Sequence, residues 1–283
     1  MTRTRVALLT ALAMLAFAGN SLLCRQALKH TSIDAASFTS IRLISGAIML
    51  WILVRGLGKS QSGFGSWPSA LALFAYAAGF SLAYVDLTAG TGALLLFGSV
   101  QLSMISFGMW RGEVLSSLQI GGLGLALFGL IALVLPGLAA PPILNSLLMI
   151  GAGVAWGVYS LRGRGAGDPT LVTAGNFMRT IPMTLAFSLL MIGHVNLDPA
   201  GAFYALGSGI VTSGLGYAIW YLVLPSLKAT QAATVQLSVP VIAAVAGIVL
   251  LGEQPSWRLA LASIAIICGI GLVIYERGRV KAV

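Results

Sequence analysis

The sequence predicts an all-α polytopic membrane protein, with ten transmembrane helices arranged as two inverted five-helix repeats. Three observations lead there. Of the 283 residues, 58% are hydrophobic and only 8% charged, whereas soluble domains carry about a quarter charged residues. Ten apolar stretches recur along the chain, each near the roughly 20 residues that cross hydrocarbon as a helix. The second half also repeats charged positions of the first at a nearly fixed offset.

The first stretch, 6–24, is flanked by Arg3 and Arg5 and contains Ala16, Phe17 and Ala18, a pattern close to a secretory signal and its cleavage site. The apolar run continues past that site to Cys24, so it reads as a retained span, and it carries Asn20. The second, 36–54, holds Arg42 in an otherwise apolar setting. The third, 68–86, places Tyr76, Phe80 and Tyr84 on one helical face at i, i+4 and i+8. The fourth, 89–110, carries Phe97, Gln101 and a Ser99, Ser103, Ser106 stripe, and it ends at Gly112 and Glu113. The fifth is 116–135.

The sixth, 143–161, adds Trp156 and Tyr159 beside a Gly153, Gly157 pair spaced for close helix approach. The seventh, 170–192, repeats the buried-charge problem with Arg179 and adds Asn176 and Pro182. The eighth, 200–224, aligns Ser213, Tyr217 and Tyr221. The ninth, 229–251, sets Gln231, Thr234 and Ser238 on one stripe before Pro240, and it ends at Gly252 and Glu253. The tenth is 256–275.

The connections are too short for a soluble catalytic domain. A net charge of +9 could suggest nucleic acid, but its distribution follows the positive-inside rule. With the N-terminus inside, Arg3, Arg5, Arg55, Lys59, Arg111, Arg162, Arg164, Lys228, Arg277, Arg279 and Lys281 fall inside; only Arg25, Lys29 and Arg258 fall outside. Both termini are expected in the cytoplasm. The partners expected are a small-molecule substrate and the lipid bilayer, with no nucleic acid and no obligate protein partner.

An offset of 137 residues lays Arg42 on Arg179, Arg25 on Arg162 and Tyr84 on Tyr221; an offset of 140 lays Gly112 and Glu113 on Gly252 and Glu253. The repeats are expected at 6–135 and 143–275. Five helices per repeat is an odd number, so the second enters the membrane inverted, an architecture of transporters that rock about a midplane site. An arginine at a helix centre costs about 2.5–3.5 kcal/mol on insertion scales. Arg42 and Arg179 are therefore expected inside the bundle as a repeated structural tie, with capture of a substrate carboxylate as the alternative.

The Gly-Glu pairs, together with AYVDLTAGTGALLLFGSVQLSM (83–104), GVAWGVYSLRGR (153–164) and GYAIWYLVLPSLKATQAA (216–233) running into VPVIAAVAGIVLLGE (239–253), resemble EamA domains of the drug/metabolite transporter superfamily. Within it the overall pattern is similar to YddG-like exporters of aromatic amino acids. The resemblance implies a bacterial-type inner-membrane protein with a central cavity lined by spans one, three, four, six, eight and nine. One departure is Val100 in the first half where the second has Pro240.

On those spans the expected substrate-binding residues are Asn20, Tyr76, Phe80, Tyr84, Phe97, Gln101, Trp156, Tyr159, Tyr217, Tyr221, Thr234 and Ser238. They would suit an amphipathic solute with an aromatic or large apolar side chain, exported by alternating access. The alternative is a multidrug or other metabolite exporter, possible proton coupling included. Gly112, Glu113, Gly252 and Glu253 are read as helix-end motifs, the carboxylates capping the helix that follows each. Catalysis is not expected: His30 and His194 lie outside the spans, no HExxH occurs, and no two acids face each other within spans. Cys24 and Cys268 show no metal or disulfide spacing, so neither a metal nor a cofactor is expected.

Overall fold

The computed structural model describes residues 1–58, 65–137, 140–163, 166–227 and 229–280, and the regular elements among them are all helical. In chain order these are α1 (Arg3–His30), α2 (Ala35–Gly56), α3 (Trp67–Tyr84), α4 (Ala89–Trp110), α5 (Ser117–Val134), α6 (Ile143–Gly163), α7 (Pro169–Leu190), α8 (Pro199–Gly207), α9 (Gly216–Val223), α10 (Ala229–Gln236), α11 (Ser238–Leu251) and α12 (Trp257–Val280). Of the residues used in reading the charge distribution, Lys59, Arg164, Lys228 and Lys281 lie outside the described residues.

Among the described residues, eight helical segments are long and apolar enough to cross a membrane, which with the family assignment below makes this a multi-pass membrane protein. The helices α3 and α7 fall outside that group, and both carry buried polar side chains: Ser69, Tyr76 and Ser81 on α3, and Thr173, Asn176, Thr180 and Thr184 on α7. These are residues turned toward the bundle interior, so their polarity is compatible with an apolar surround.

Helix starts are fixed by side-chain caps, since the first N–H groups of a helix have no intrahelical acceptor. Asp34 accepts from the Ala36 and Ser37 N–H groups, Ser66 from Ser69, Thr88 from Thr91, and Asp168 from Thr170 and Leu171. Ser116 and Gln119 form a reciprocal capping box at α5. At the ends of α4 and α11 the chain turns through Gly112 (φ +89°) and Gly252 (φ +65°), a left-handed conformation that favours glycine.

Two of the predicted spans are not regular helices. Between α8 and α9, Ser208–Leu215 winds as a π-helix, a rare form that is frequent at functional sites. The ninth stretch divides at Leu237 into α10 and α11. Pro240 has no N–H to donate one turn back, to Gln236, and the chain there tightens: the Leu237 N–H donates to the Thr234 carbonyl at 3.1 Å and the Ser238 hydroxyl to the Val235 carbonyl at 2.6 Å.

Packing pairs α5 with α12, α6 with α3 and α4, α2 with α7 and the π segment, and α4 with α11. Small residues permit it. A Cβ on Gly153 would meet the Leu96 carbonyl of α4 at 2.6 Å, and one on Gly122 the Gly269 carbonyl of α12 at 2.6 Å, so these backbones touch directly, as in membrane bundles packed through glycine.

Candidate functional site

The polar centre of the bundle is assembled by α1, α2, α3 and the π segment. Asn20 on α1, 5% exposed, donates its side-chain amide to the Tyr76 hydroxyl at 3.3 Å. Its side-chain carbonyl accepts from the hydroxyls of Ser208 at 2.6 Å and Thr212 at 3.1 Å. Arg42 on α2, 1% exposed, donates Nε to the Ser213 hydroxyl at 3.1 Å and Nη2 to the Tyr76 hydroxyl at 3.0 Å. Its guanidinium lies 5.0 Å from the Phe80 ring centroid and 5.2 Å from that of Tyr76, distances at which a cation is attracted to an aromatic face. The π segment matters here, because its wider turn brings Ser208, Thr212 and Ser213 to two different partners, Asn20 and Arg42.

Around this centre the rings form a continuous column. Trp156 stands between Tyr76 and Tyr217, at 4.8 and 5.0 Å between centroids; Phe80 meets Tyr84 edge-on at 4.7 Å, and Phe17 meets Tyr217 and Trp220 at 5.9 and 6.0 Å. Offset and edge contacts of this kind stabilise an aromatic cluster beyond its buried area. Inside it is a cavity of about 20 Å³, walled by Asn20, Tyr76, Phe80, Phe97, Trp156 and Tyr217 among others, with room for about one water molecule. Phe17 and Trp156 also border a second chamber of about 380 Å³, lined further by Gln101, Ser160, Gly163, Trp220, Tyr221 and Leu227. That size lies in the roughly 300–1,000 Å³ range of small-molecule pockets.

The opposite end of the column is sealed. Arg25 Nη1 donates to the backbone carbonyls of Tyr84 at 3.1 Å and Val85 at 2.8 Å, and its Nε lies 3.4 Å from the Glu253 carboxylate. Both carboxylate oxygens of Glu253 accept from the Ala89 N–H, at 2.9 and 3.0 Å. One ion pair thus ties α1, the end of α3, the start of α4 and the end of α11.

Of the residues expected from the sequence, Asn20, Tyr76, Phe80, Phe97, Trp156 and Tyr217 line the small cavity, and Gln101 and Tyr221 line the larger chamber. Tyr84 is fully buried at the sealed end, its hydroxyl donating to the Ala89 carbonyl at 3.2 Å. Tyr159 is packed behind Trp156, 5.4 Å between ring centroids. Thr234, on α10, and Ser238, at the start of α11, instead face a groove bordered by α1 and α12, beside Thr10 and Tyr275, on either side of the break at Leu237.

The two arginines are not equivalent. Arg42 is buried and bonded across helices, whereas Arg179 is partly exposed and donates Nη1 to the Gly175 carbonyl of its own helix at 3.0 Å. The Gly-Glu pairs do end helices, but Glu253 caps the start of α4 rather than the helix that follows it; its side chain folds back past Gly247, where the closest approach is to a Cβ-sized space, and reaches across to Ala89. Glu113 folds back in the same way over Gly108, whose carbonyl accepts its N–H at 3.0 Å. Arg25, Ser208 and Thr212 were not among the expected site residues. Arg25 was signalled by its offset partner Arg162; Ser208 and Thr212, four apart, could have been found by the same-face spacing used elsewhere.

Residues 144–275 match the model of the EamA-like transporter family. The chain is 54% identical to an uncharacterized protein of Pseudomonas aeruginosa over 96% of both chains, and 26% identical to an uncharacterized transporter of Archaeoglobus fulgidus over 94% of this chain and 96% of that one. The chain belongs to the EamA-like transporter family. It is also 30% identical to the threonine/homoserine exporter RhtA of Salmonella typhimurium, over 48% of each chain. A protein of known crystal structure shares the fold, with a TM-score of 0.68 and 17% identity over 97% of this chain and 99% of that one.

Proposed function

We propose that this transporter exports small amphipathic metabolites, chiefly amino acids with aromatic or large apolar side chains, across a bacterial-type inner membrane. It does so by alternating access between two inverted five-helix repeats, 6–135 and 143–275, with both termini in the cytoplasm. The observation that carries the reading is the chamber of about 380 Å³ leading to the Tyr76, Trp156 and Tyr217 rings. An apolar side chain in the chamber meets Phe17, Trp156 and Trp220; Tyr76, Tyr217 and Asn20 lie beyond Trp156 around the smaller cavity and take the solute when that cavity widens.

The chamber borders Gly163, Gly167 and Leu227, at the end that the distribution of Arg and Lys assigns to the cytoplasm. The sealed end, with Arg25 and Glu253, is then the outer one, so this conformation admits solute from inside. That is the loading state of an exporter. A relative named for threonine and homoserine export supports amino acids as the substrate class.

The test is flux from purified protein in liposomes, using a panel of radiolabelled amino acids and one cationic drug, with and without a pH gradient. Saturable flux of phenylalanine or leucine that Trp156→Ala reduces is the expected result. Gradient-driven drug flux without amino-acid flux would overturn the substrate assignment and favour the multidrug reading.

A further inference from the structure

We infer that Arg42 is the anion anchor of the central site and takes the substrate's carboxylate through Nη1. The inference deepens the proposed export function and rests on it for the location of the site, but not for the identity of the solute.

A guanidinium offers five N–H donors. In Arg42 the Nε and Nη2 groups donate to two neutral hydroxyls, Ser213 and Tyr76. Nη1 is buried and has no hydrogen-bond partner among the described residues. Nor does any carboxylate pair with it there: the titratable groups that act on it are Tyr76, Tyr217 and Cys24, phenols and a thiol. A cation removed from water without a counter-charge or a full set of acceptors is unfavourable, and ionisable groups inside membrane bundles mark solute pathways for this reason.

Two further arginines, Arg25 and Arg179, show ties made to backbone carbonyls, and Arg162 a tie to one hydroxyl, that of Ser69 at 3.2 Å. Arg25 takes two backbone carbonyls and a carboxylate, and Arg179 takes the carbonyl one turn back on its own helix. Arg42 takes no carbonyl. It uses hydroxyls that also belong to the cavity network: the Tyr76 oxygen it bonds is the one that accepts from Asn20, and the rings beneath it, Tyr76 and Phe80, are cavity walls. Arg42 itself lies behind those walls and not in the cavity lining, so a carboxylate reaches the unused Nη1 only by parting the Tyr76 and Phe80 rings, in surroundings where a charge-assisted hydrogen bond is stronger than in water. Aromatic rings for the side chain and one guanidinium for the carboxylate then make a two-point site.

The experiment compares three solutes that share one ring, namely phenylalanine, phenylalaninamide and phenylacetate, in liposomes bearing wild type, Arg42→Lys or Arg42→Gln. Each variant is read as the ratio of acid to amide flux, which does not depend on how much protein is folded. In wild type the acids are expected to be preferred by more than about tenfold, the scale of one charged hydrogen bond. Arg42→Lys keeps part of that preference and Arg42→Gln brings it to about one. Transport of phenylacetate but not phenylalanine, with the same loss in Arg42→Gln, would uphold the anchor while overturning the amino-acid assignment. Equal wild-type flux of acid and amide, an acid preference unchanged in Arg42→Gln, or dependence on chloride without any acid preference would each overturn the inference.

Discussion

Glu253→Gln is the perturbation that bears most directly on how the sealed end is held. The carboxylate accepts the Ala89 N–H with both oxygens and pairs with Arg25, and both side chains are about nine-tenths buried, 9% and 10% exposed. Removing one member of a buried pair costs about 3–5 kcal/mol when the other is stranded. Arg25 is not stranded here, because the Tyr84 and Val85 carbonyls still accept from it, and a glutamine oxygen can still take the Ala89 N–H. What is lost is the charge on one hydrogen bond and the ion pair, about 2–3 kcal/mol. A shift of that size changes the ratio of sealed to open states by about 30- to 150-fold. Leu87, 1% exposed next to the latch, provides the reporter. With Leu87→Cys in a Cys24→Ala, Cys268→Ala background, an impermeant maleimide added to whole cells should label Glu253→Gln much faster than the parent. Labelling at the parent rate by a folded, membrane-inserted Glu253→Gln protein would refute the latch.

Three further outcomes follow. Gly209→Ala should lower the melting temperature in detergent, by about 1–3 kcal/mol of stability, because its Cβ would collide with the Ser45 hydroxyl and the Arg42 carbonyl; unchanged melting would mean that α2 and the π segment are not in contact. At α2, burial pushes the Asp34 carboxyl up, but hydrogen bonds from the Ser37 side chain and the Asn196, Ser37 and Ala36 N–H groups outweigh it and hold the carboxyl below its ordinary value. Its contribution is therefore fully present above the unfolded value of about 3.9 and lost as pH falls through the lowered folded one, so Asp34→Asn should narrow the difference in melting temperature between pH 7 and pH 3, checked by paired melts. Finally, under the proposed inverted repeat, Arg25 and Glu253 have the offset counterparts Arg162 and Glu113. In the state opened to the outside those two should seal the inner end, so Arg162→Glu and Glu113→Arg should each depress export and together restore it; no recovery in the double variant would count against the symmetry.

The positions of the helices were legible because bilayer crossing is a one-dimensional demand on composition: each predicted stretch falls mostly on helix, including α3 and α7, whose polar residues are buried. Of the residues that wall the small cavity, Tyr76 and Phe80 were legible from same-face spacing, whereas Asn20 and Trp156 were placed there by the resemblance, which puts spans one and six at the cavity. Thr234 and Ser238 show where the method stops. Their stripe assumed an unbroken helix, and the two fall on either side of the break at Leu237. Glu253 shows a second limit: a carboxylate next to a helix start is legible as a cap, but the helix it caps, α4, is a neighbour only in three dimensions. The different settings of Arg42 and Arg179 belong to the same class, for an offset in sequence equates residues whose neighbours differ.

Exchange across the membrane tests the central claim most directly. Liposomes carrying the protein are preloaded with unlabelled phenylalanine, and the entry of labelled phenylalanine is followed against empty liposomes. A carrier with one central site exposed alternately to each side predicts that preloading accelerates entry, that entry saturates, and that Trp156→Ala reduces the flux and its acceleration. Entry that rises linearly with concentration and ignores the contents of the liposome would contradict the account.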